Sequence, residues 1–569
     1  MPSSLPLSFA LLGLFASRVL CGGVTEASWK ALNATVGGRL HLGVPFSQPC
    51  FSRTSSNAVN VPNPAQCGEI QALYEDHLFR SSRFGGYQIT QWETCQTTGD
   101  ECLLDWTNTT NPAAFAAPRQ CLQGSVPSYY IDVTGPEDIR AAYTFSKKKK
   151  VPLVIKNSGH DYIGRSAGPG TLALWTHNLN SIALSTGFVA EGCSNEPQSA
   201  VTFGAGVQFQ AVYDFARTNN VTIVGGADPA VGATGGWSMG AGHGALSPAM
   251  GLGVDRVLQY KIVTPDGKFR TANKCQNPDL FFALRGGGGG TFGVVLEGTF
   301  ITSPAVTMQV AVGTYENTPE NTVKLVKALG KSATQMASDG WGGYITPSAS
   351  GGVWANPLLD VGAAQKSAAG VVSAFESIGG GVSFFTMPTA SDFFDTFIAP
   401  NTDPVGRPQV QSSRLIPDHL MANDDVLSAL ATAMVSSDFP QILAVTPYAF
   451  KDFDKNGTSI NPAWRTAVWH VLSMNVWNFN STRSERETAY QRLKTVWTPV
   501  RDLTPGSGAY FNEADTYEPD YTTSFWGPHY AKLLAIKNKY DPHHLLDCWR
   551  CVGWKGPSDP RYKCHLPAP

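Results

Sequence analysis

The sequence predicts an α+β protein built from two main parts, and two observations carry that expectation. The first is a set of three glycine-dense stretches at 151–170 (VPLVIKNSGHDYIGRSAGPG), 225–253 and 285–293 (RGGGGGTFG). Strand-like apolar runs press directly on them, at 151–155, 221–224 and 257–263, so ordered turns fit better than a set of loose surface loops. Ordering glycine costs conformational entropy, and dense use of it makes sense where backbone lies against a long, flat or phosphorylated ligand. The second observation is a change of character near residue 306, where glycine clusters give way to amphipathic helices and aromatic strands in mixed order. That order suggests a sheet covered by helices on one face.

Taken from the start, residues 1–23 hold an apolar run at 5–16, long enough for a signal-peptide core and too short to span a bilayer. No Lys or Arg precedes the run, and Arg18 follows it. Removing Cys21 with this leader leaves an even number of cysteines scattered among loops, which suggests disulfides in an oxidising compartment. Their pairing stays open. Cys548-x-x-Cys551 reads as a structural bridge or a redox pair, and a zinc site would need a fourth ligand beside Cys564 that no usual spacing supplies. Asn-x-Ser/Thr sequons at Asn33, Asn108, Asn220, Asn456 and Asn480 fit a secreted glycoprotein. The chain has 569 residues, only 15% of them charged, with a net charge of −2. No global field favours nucleic acid or an anionic membrane, which leaves a small molecule as the expected partner.

Residues 24–123 are rich in cysteine and polar residues and read as an extension fastened by disulfides, with no usable motif. A short strand is expected at 127–132 and a helix at 135–146, opened by Pro136, Glu137 and Asp138 and closed by four lysines. Another helix is expected at 208–219. The Gly204-x-Gly206 pair before it lacks the third glycine and the later acidic residue of a dinucleotide fingerprint, so a nicotinamide fold is not expected. Beyond 306, helices are expected at 319–336, 364–379, 424–437 and 484–500, with strands at 342–345, 441–447 and 464–476.

Three motifs now stand in one order: SGHDYIGRS, TGGWSMGAGHGALSPAMGLGVDRV and NPDLFFALRGGGGGTFGVV. They resemble the flavin domain of the vanillyl-alcohol oxidase / p-cresol methylhydroxylase superfamily. The nearer likeness is to its berberine bridge enzyme-like branch, and within that to secreted fungal FAD-linked oxidases such as isoamyl alcohol oxidase. The resemblance implies a two-lobed FAD-binding domain of the p-cresol methylhydroxylase type at 124–305 and a substrate lobe at 306–504. A segment at 505–569 returns to the FAD domain.

By the same resemblance, His160 is the residue bonded to the flavin 8-methyl carbon. An imidazole with a reference pKa of about 6.5 is a competent nucleophile near neutrality. Ser158, Gly159, Asp161, Gly164, Arg165 and Ser166 would share its cofactor-binding turn. Gly235, Gly236, Gly240, Gly242, His243, Gly293, Val294 and Asn512 would hold the rest of the FAD, with turn amides serving as an anion nest for the pyrophosphate. Relatives often carry a second-link cysteine where Asp228 stands, so a single link is implied. Val231 aligns with a small gatekeeper that leaves oxygen access. Tyr162 lies two residues from His160, on the same side of an extended segment, and would line the pocket; Tyr510 resembles a catalytic phenol. His470 aligns loosely with inward polar residues above the flavin, and either Tyr510 or His470 would be the base. His243 fits the pyrophosphate turn better than catalysis, and no metal spacing joins His529, His543 and His544. The function implied is hydride transfer from an alcohol-type substrate to FAD, with reoxidation by O2 in a secreted monomer. The alternatives are a carbohydrate or secondary-metabolite oxidation, a dehydrogenase, or a flavin-binding protein without turnover.

Overall fold

A computed structural model describes residues 24–569 apart from 55–58 and 455; the expected leader at 1–23 lies outside the described residues. The helix Pro136–Lys149 shows how local chemistry sets an element. Proline and two acids occupy its first turn, three lysines its last, and Lys150 closes it in the left-handed region at φ 58°. It runs one turn past the expected end, because lysines at a helix C-terminus favour its dipole. Ile139, Ala142 and Tyr143 are buried in one cluster with Leu153, Leu172 and Leu174. The helix thereby connects Tyr129–Asp132 to Leu153–Lys156, both of which pair in parallel with Leu172–Trp175.

The N-terminal extension is more than a fastened appendage. Its strand Leu40–Leu42 pairs antiparallel with Tyr129–Asp132 and completes a four-stranded sheet. Disulfides Cys50–Cys67 and Cys102–Cys121 close loops inside the extension, and Cys95–Cys564 ties it to the C-terminal end across 469 residues. Cys193–Cys275 and Cys548–Cys551 are also bonded. A second sheet of five antiparallel strands runs in the order Ile182–Phe188, Gln198–Gly204, Val294–Ile301, Val257–Val263, Phe269–Asn273.

The part beyond 306 is a seven-stranded, wholly antiparallel sheet. Helices Pro319–Ser338, Asp424–Val435 and Arg483–Asp502 bury apolar residues against it and against one another. Two expectations change here. The helix expected at 364–379 is broken into Val361–Ser367 and Ala369–Glu376. Near the break lies Gly370, where a Cβ would sit 2.8 Å from Ser332 Cβ of the neighbouring helix, so close packing governs that position. The strand expected from 464 starts instead at Ala467, after a helical turn Ala463–Thr466 whose first amide donates to Asn461 Oδ1 at 2.9 Å. Likewise only Val221–Thr222 of the run at 221–224 is strand. Among the described residues no helix is long and apolar enough to cross a membrane.

Candidate active site

The strand Leu153–Lys156 ends in Asn157 and Ser158, and Gly159 then turns at φ 92°, a conformation open to glycine and strained for other residues. Asp161 folds the loop onto itself, its carboxylate accepting from Gly164 N at 3.1 Å, Ser166 N at 2.5 Å and Ser166 Oγ at 2.7 Å. His160 is thereby held at the rim of a cavity of about 410 Å³, lined on this side by Ser158, Gly159, Asp161, Tyr162, Arg165 and Ser166. Asp228, Val231, Gly235 and Gly236 from the second glycine stretch line it as well, the two glycines within a single π-helical turn, Ala233–Trp237.

Five positions expected at the cofactor are not on the cavity wall. Gly293 and Val294 open the strand Val294–Ile301; a Cβ on Gly293 would meet Val263 O at 2.6 Å, and Val294 is in the core. Gly289 and Gly290, a few residues earlier in the same stretch, take their place on the wall. Gly164 packs on Trp92 and His565, and Gly240 gives room for Asn512 and Tyr510. Gly242, with φ 79°, also lies off the wall and contributes a backbone N–H toward the Tyr510 oxygen.

At the C-terminal side of the cavity, Tyr510, Asn512 and Glu513 come together with His243. Glu513 is a residue of this cavity that sequence reasoning missed. Its Oε2 faces His470 Nε2 at 2.7 Å, while His243 Nε2 lies 3.1 and 3.2 Å from its two oxygens. Burial alone would raise the Glu513 carboxyl, but the two histidines hold it below the usual carboxylate range. His470 is fully buried, which lowers its affinity for a proton, and it does not line the cavity. It therefore stands behind Glu513, off the wall where it was expected as a candidate base. His243, expected with the pyrophosphate turn, instead faces Glu513, its ring 5.2 Å from that of Tyr510. The Nδ1 atoms of His243 and His470 are buried without partners. A metal-bound imidazole ordinarily donates its other N–H, so this geometry suits two Nε2–H donors on one carboxylate better than a cation.

The Tyr510 oxygen accepts from Asn512 Nδ2 at 2.9 Å and from the amides of Ala241 and Gly242. Burial still pushes this phenol up, and the charge of Glu513 adds to that, so Tyr510 keeps its proton. Tyr162 is raised in the same way by burial and by the charges of Asp403 and Glu513. Arg165 Nη2 donates to Asn512 Oδ1 at 3.0 Å and stacks over Phe511 at 3.8 Å, joining the two ends of the site. Asp403, also missed, lines the cavity and accepts from Gln441 Nε2 at 2.7 Å. Burial pushes it up to about 6, with Arg407 opposing and Asp228 and Glu513 adding to the rise.

Asp228 has its own set of partners. Its Oδ2 lies 2.6 Å from Nδ1 of His77, its Oδ1 lies 3.2 Å from Nε2 of His160, and Oδ1 also accepts from Ala230 N at 2.8 Å. Burial would raise this carboxyl, but His160 and His77 hold it well below the usual range.

The residues present fit a flavin nucleotide. A Cβ on Gly289 would lie 3.3 Å from Gly235 O and 3.5 Å from Gly236 Cα, so the glycine turns form a crevice walled by backbone. His160 Nε2, Asn157 Oδ1 and Thr234 Oγ1, in or beside these turns, are buried without hydrogen-bond partners; the His160 contact to Asp228 is close but bent off the hydrogen-bond line. A family model described as FAD binding domain matches residues 127–273, and one described as Berberine and berberine like matches 509–547. The FAD-linked oxidoreductase ffsJ of Aspergillus flavipes is 37% identical over 97% of this chain and 95% of its own length. The bifunctional decalin synthase calF of Penicillium decumbens is 30% identical over 93% of this chain and 91% of its own. Among solved structures, the VAO-type flavoprotein MtVAO615 from Myceliophthora thermophila C1 superposes with a TM-score of 0.82 at 27% identity, covering 95% of this chain and 97% of that one. Similarity of this extent, on a matching fold, makes the chain a member of the vanillyl-alcohol oxidase and berberine bridge enzyme-like family and an FAD-dependent oxidoreductase.

Proposed function

We propose that this chain is a secreted, monomeric oxidase that takes a hydride from the carbon of an alcohol-type (CH–OH) substrate. Molecular oxygen is the final acceptor and hydrogen peroxide the second product. The observation that carries this reading is one cavity containing both the His160 turn and the cluster of Glu513, Tyr510 and Asn512. FAD, when bound, supplies the two-electron chemistry. His160 would hold it by a single covalent bond, since Asp228 stands where a second-link cysteine would be, and the glycine turns would hold its pyrophosphate.

The chain's own residues then have distinct tasks. Glu513, kept ionised, takes the hydroxyl proton of the substrate on a carboxylate oxygen, which His470 fixes from behind and His243 from beside it on the cavity wall. Tyr510, which keeps its proton, and Asn512 orient the substrate oxygen, while Tyr162 walls the pocket and Val231 leaves oxygen a way in. Holding the donor carbon in place is the protein's main contribution to rate. Five disulfides and the exposed sequons Asn108, Asn220, Asn456 and Asn480 support secretion.

A second reading, oxidation of a secondary-metabolite intermediate, is favoured by the calF relative, whose name states decalin synthesis. Anaerobic mixing with a panel of alcohols and sugars separates the two. We expect a simple CH–OH compound to bleach the yellow band and air to restore it with peroxide. In Glu513→Gln, bleaching should slow by on the order of 10²–10⁴-fold at unchanged flavin content. A band that no CH–OH compound bleaches would overturn the alcohol reading, and recolouring in air without peroxide would overturn the oxidase.

A further inference from the structure

We propose that Gln411 is a specificity-determining residue: at the substrate-lobe end of the cavity it holds a lactam or primary carboxamide of the substrate by a matched pair of hydrogen bonds. How far that group stands from the reacting carbon rests on the reading that oxidation takes place at Glu513.

Gln411 lies in the strand Gln409–Pro417 and lines the cavity, yet it is only 2% exposed. Neither its Nε2 nor its Oε1 has a hydrogen-bond partner, and among the described residues no other buried side-chain amide has both atoms unmatched. Exchanging the two atoms leaves both orphaned all the same. Its neighbours are engaged. Gln409, two residues back, accepts from Arg407 Nε at 3.1 Å, and Gln441 on the cavity wall donates to Asp403 at 2.7 Å. Leaving a buried donor or acceptor unmatched costs about 1–3 kcal/mol for each group. A partner that the fold itself does not supply would recover that cost at Gln411.

The chemistry of a side-chain amide narrows what the partner is. Nε2 donates and Oε1 accepts, side by side in one plane. A lactam or primary carboxamide presents the complementary N–H and C=O on one edge and makes both bonds at once. A trans secondary amide turns them to opposite sides, and an ester has no N–H, so each satisfies one atom only. A single hydroxyl oxygen reaching both atoms bends both bonds. A carboxylate has no donor for Oε1, and it would bring further negative charge into a cavity already lined by Asp403 and Glu513.

Between this amide and Glu513 the wall is largely apolar. Gln411 pairs across the sheet with Met474, and His470, whose Nε2 faces Glu513 at 2.7 Å, lies four residues earlier on the same strand as Met474. That length of strand spans about 13 Å. Leu443, Leu472 and Met474 line the cavity along it. The substrate is therefore elongated, with its CH–OH carbon at Glu513, an apolar middle and the amide at the far end.

Isothermal titration of the yellow holoprotein with octanamide and with methyl octanoate, neither of which carries a hydroxyl to oxidise, reads the subsite without turnover. We expect wild type to bind the amide on the order of 10–10²-fold more tightly, and Gln411→Leu to bring the two affinities together. Equal affinities in wild type, or a preference that persists in Gln411→Leu, would overturn the assignment. The wild-type comparison decides the matter even where the variant does not fold. Anaerobic bleaching by ω-hydroxydecanamide and by methyl ω-hydroxydecanoate then tests the span. The amide should show a KM lower by the same factor at similar kcat, because Gln411 holds it alike before and during hydride transfer. Bleaching by both at equal KM would overturn the span. If the amide binds selectively and neither hydroxy compound bleaches the flavin, oxidation of an alcohol at Glu513 falls while the subsite stands.

Discussion

At the scale of single residues, the cavity sets two carboxyls against each other. Glu513 is held ionised by two histidines, and Asp403 is pushed up to about 6 by burial, with Asp228 and Glu513 nearby. Groups whose environments separate their proton affinities in one cavity are how an active site assigns acid and base roles. The stability cost of Asp403 has a definite sign. Its proton affinity is raised in the fold, so below about pH 4 both folded and unfolded chains hold the proton and nothing is lost. As pH rises through about 6 the fold must give up a proton it favours, and stability falls. Asp403→Asn should therefore leave the melting temperature unchanged at pH 4 and stabilise above pH 6 by about 1–2 kcal/mol, allowing for partial exposure; equal melting curves at pH 8 would contradict this. His160 was legible in the sequence because a whole loop motif surrounds it. Glu513 and Asp403 were not, because each takes its character from partners far along the chain: 43 and 270 residues away for the two histidines of Glu513, and 38 for Gln441.

At the scale of elements, the extension is tied to the site by one short helix. Arg80 on that helix is fully buried; it pairs with Glu93, donates to Tyr87 O at 2.8 Å and Tyr74 O at 3.0 Å, and stacks over Phe46 and Tyr74. Removing one member of such a pair leaves the other charge buried and unmatched. Arg80→Ala should cost about 3–5 kcal/mol in chemical unfolding; a loss below 1 kcal/mol would show that water reaches Glu93. The strand 257–263 was legible to the residue because a strand-like apolar run follows directly on a glycine cluster. The helical turn Ala463–Thr466 was not, because a side chain capping its first amide outweighed the strand-like composition. Nothing in residues 24–123 marks His77, since its meaning lies in Asp228, 151 positions on.

At the scale of the whole molecule, three larger sheets meet helices in the parts that composition suggested, while the seams between the parts stayed hidden. The extension lends a strand to the first sheet and a disulfide to the C-terminal end, and both depend on pairings between distant positions, the disulfide across 469 residues. Such contacts leave little trace in local periodicity. The central claim is a flavin bonded to one imidazole in the cavity that holds His160. Mass spectrometry of a proteolytic digest of the purified yellow protein tests that most directly. The account predicts a flavin-modified peptide centred on His160, no modified peptide containing Asp228, and no modification in His160→Ala. An unmodified His160 peptide from yellow protein would contradict it.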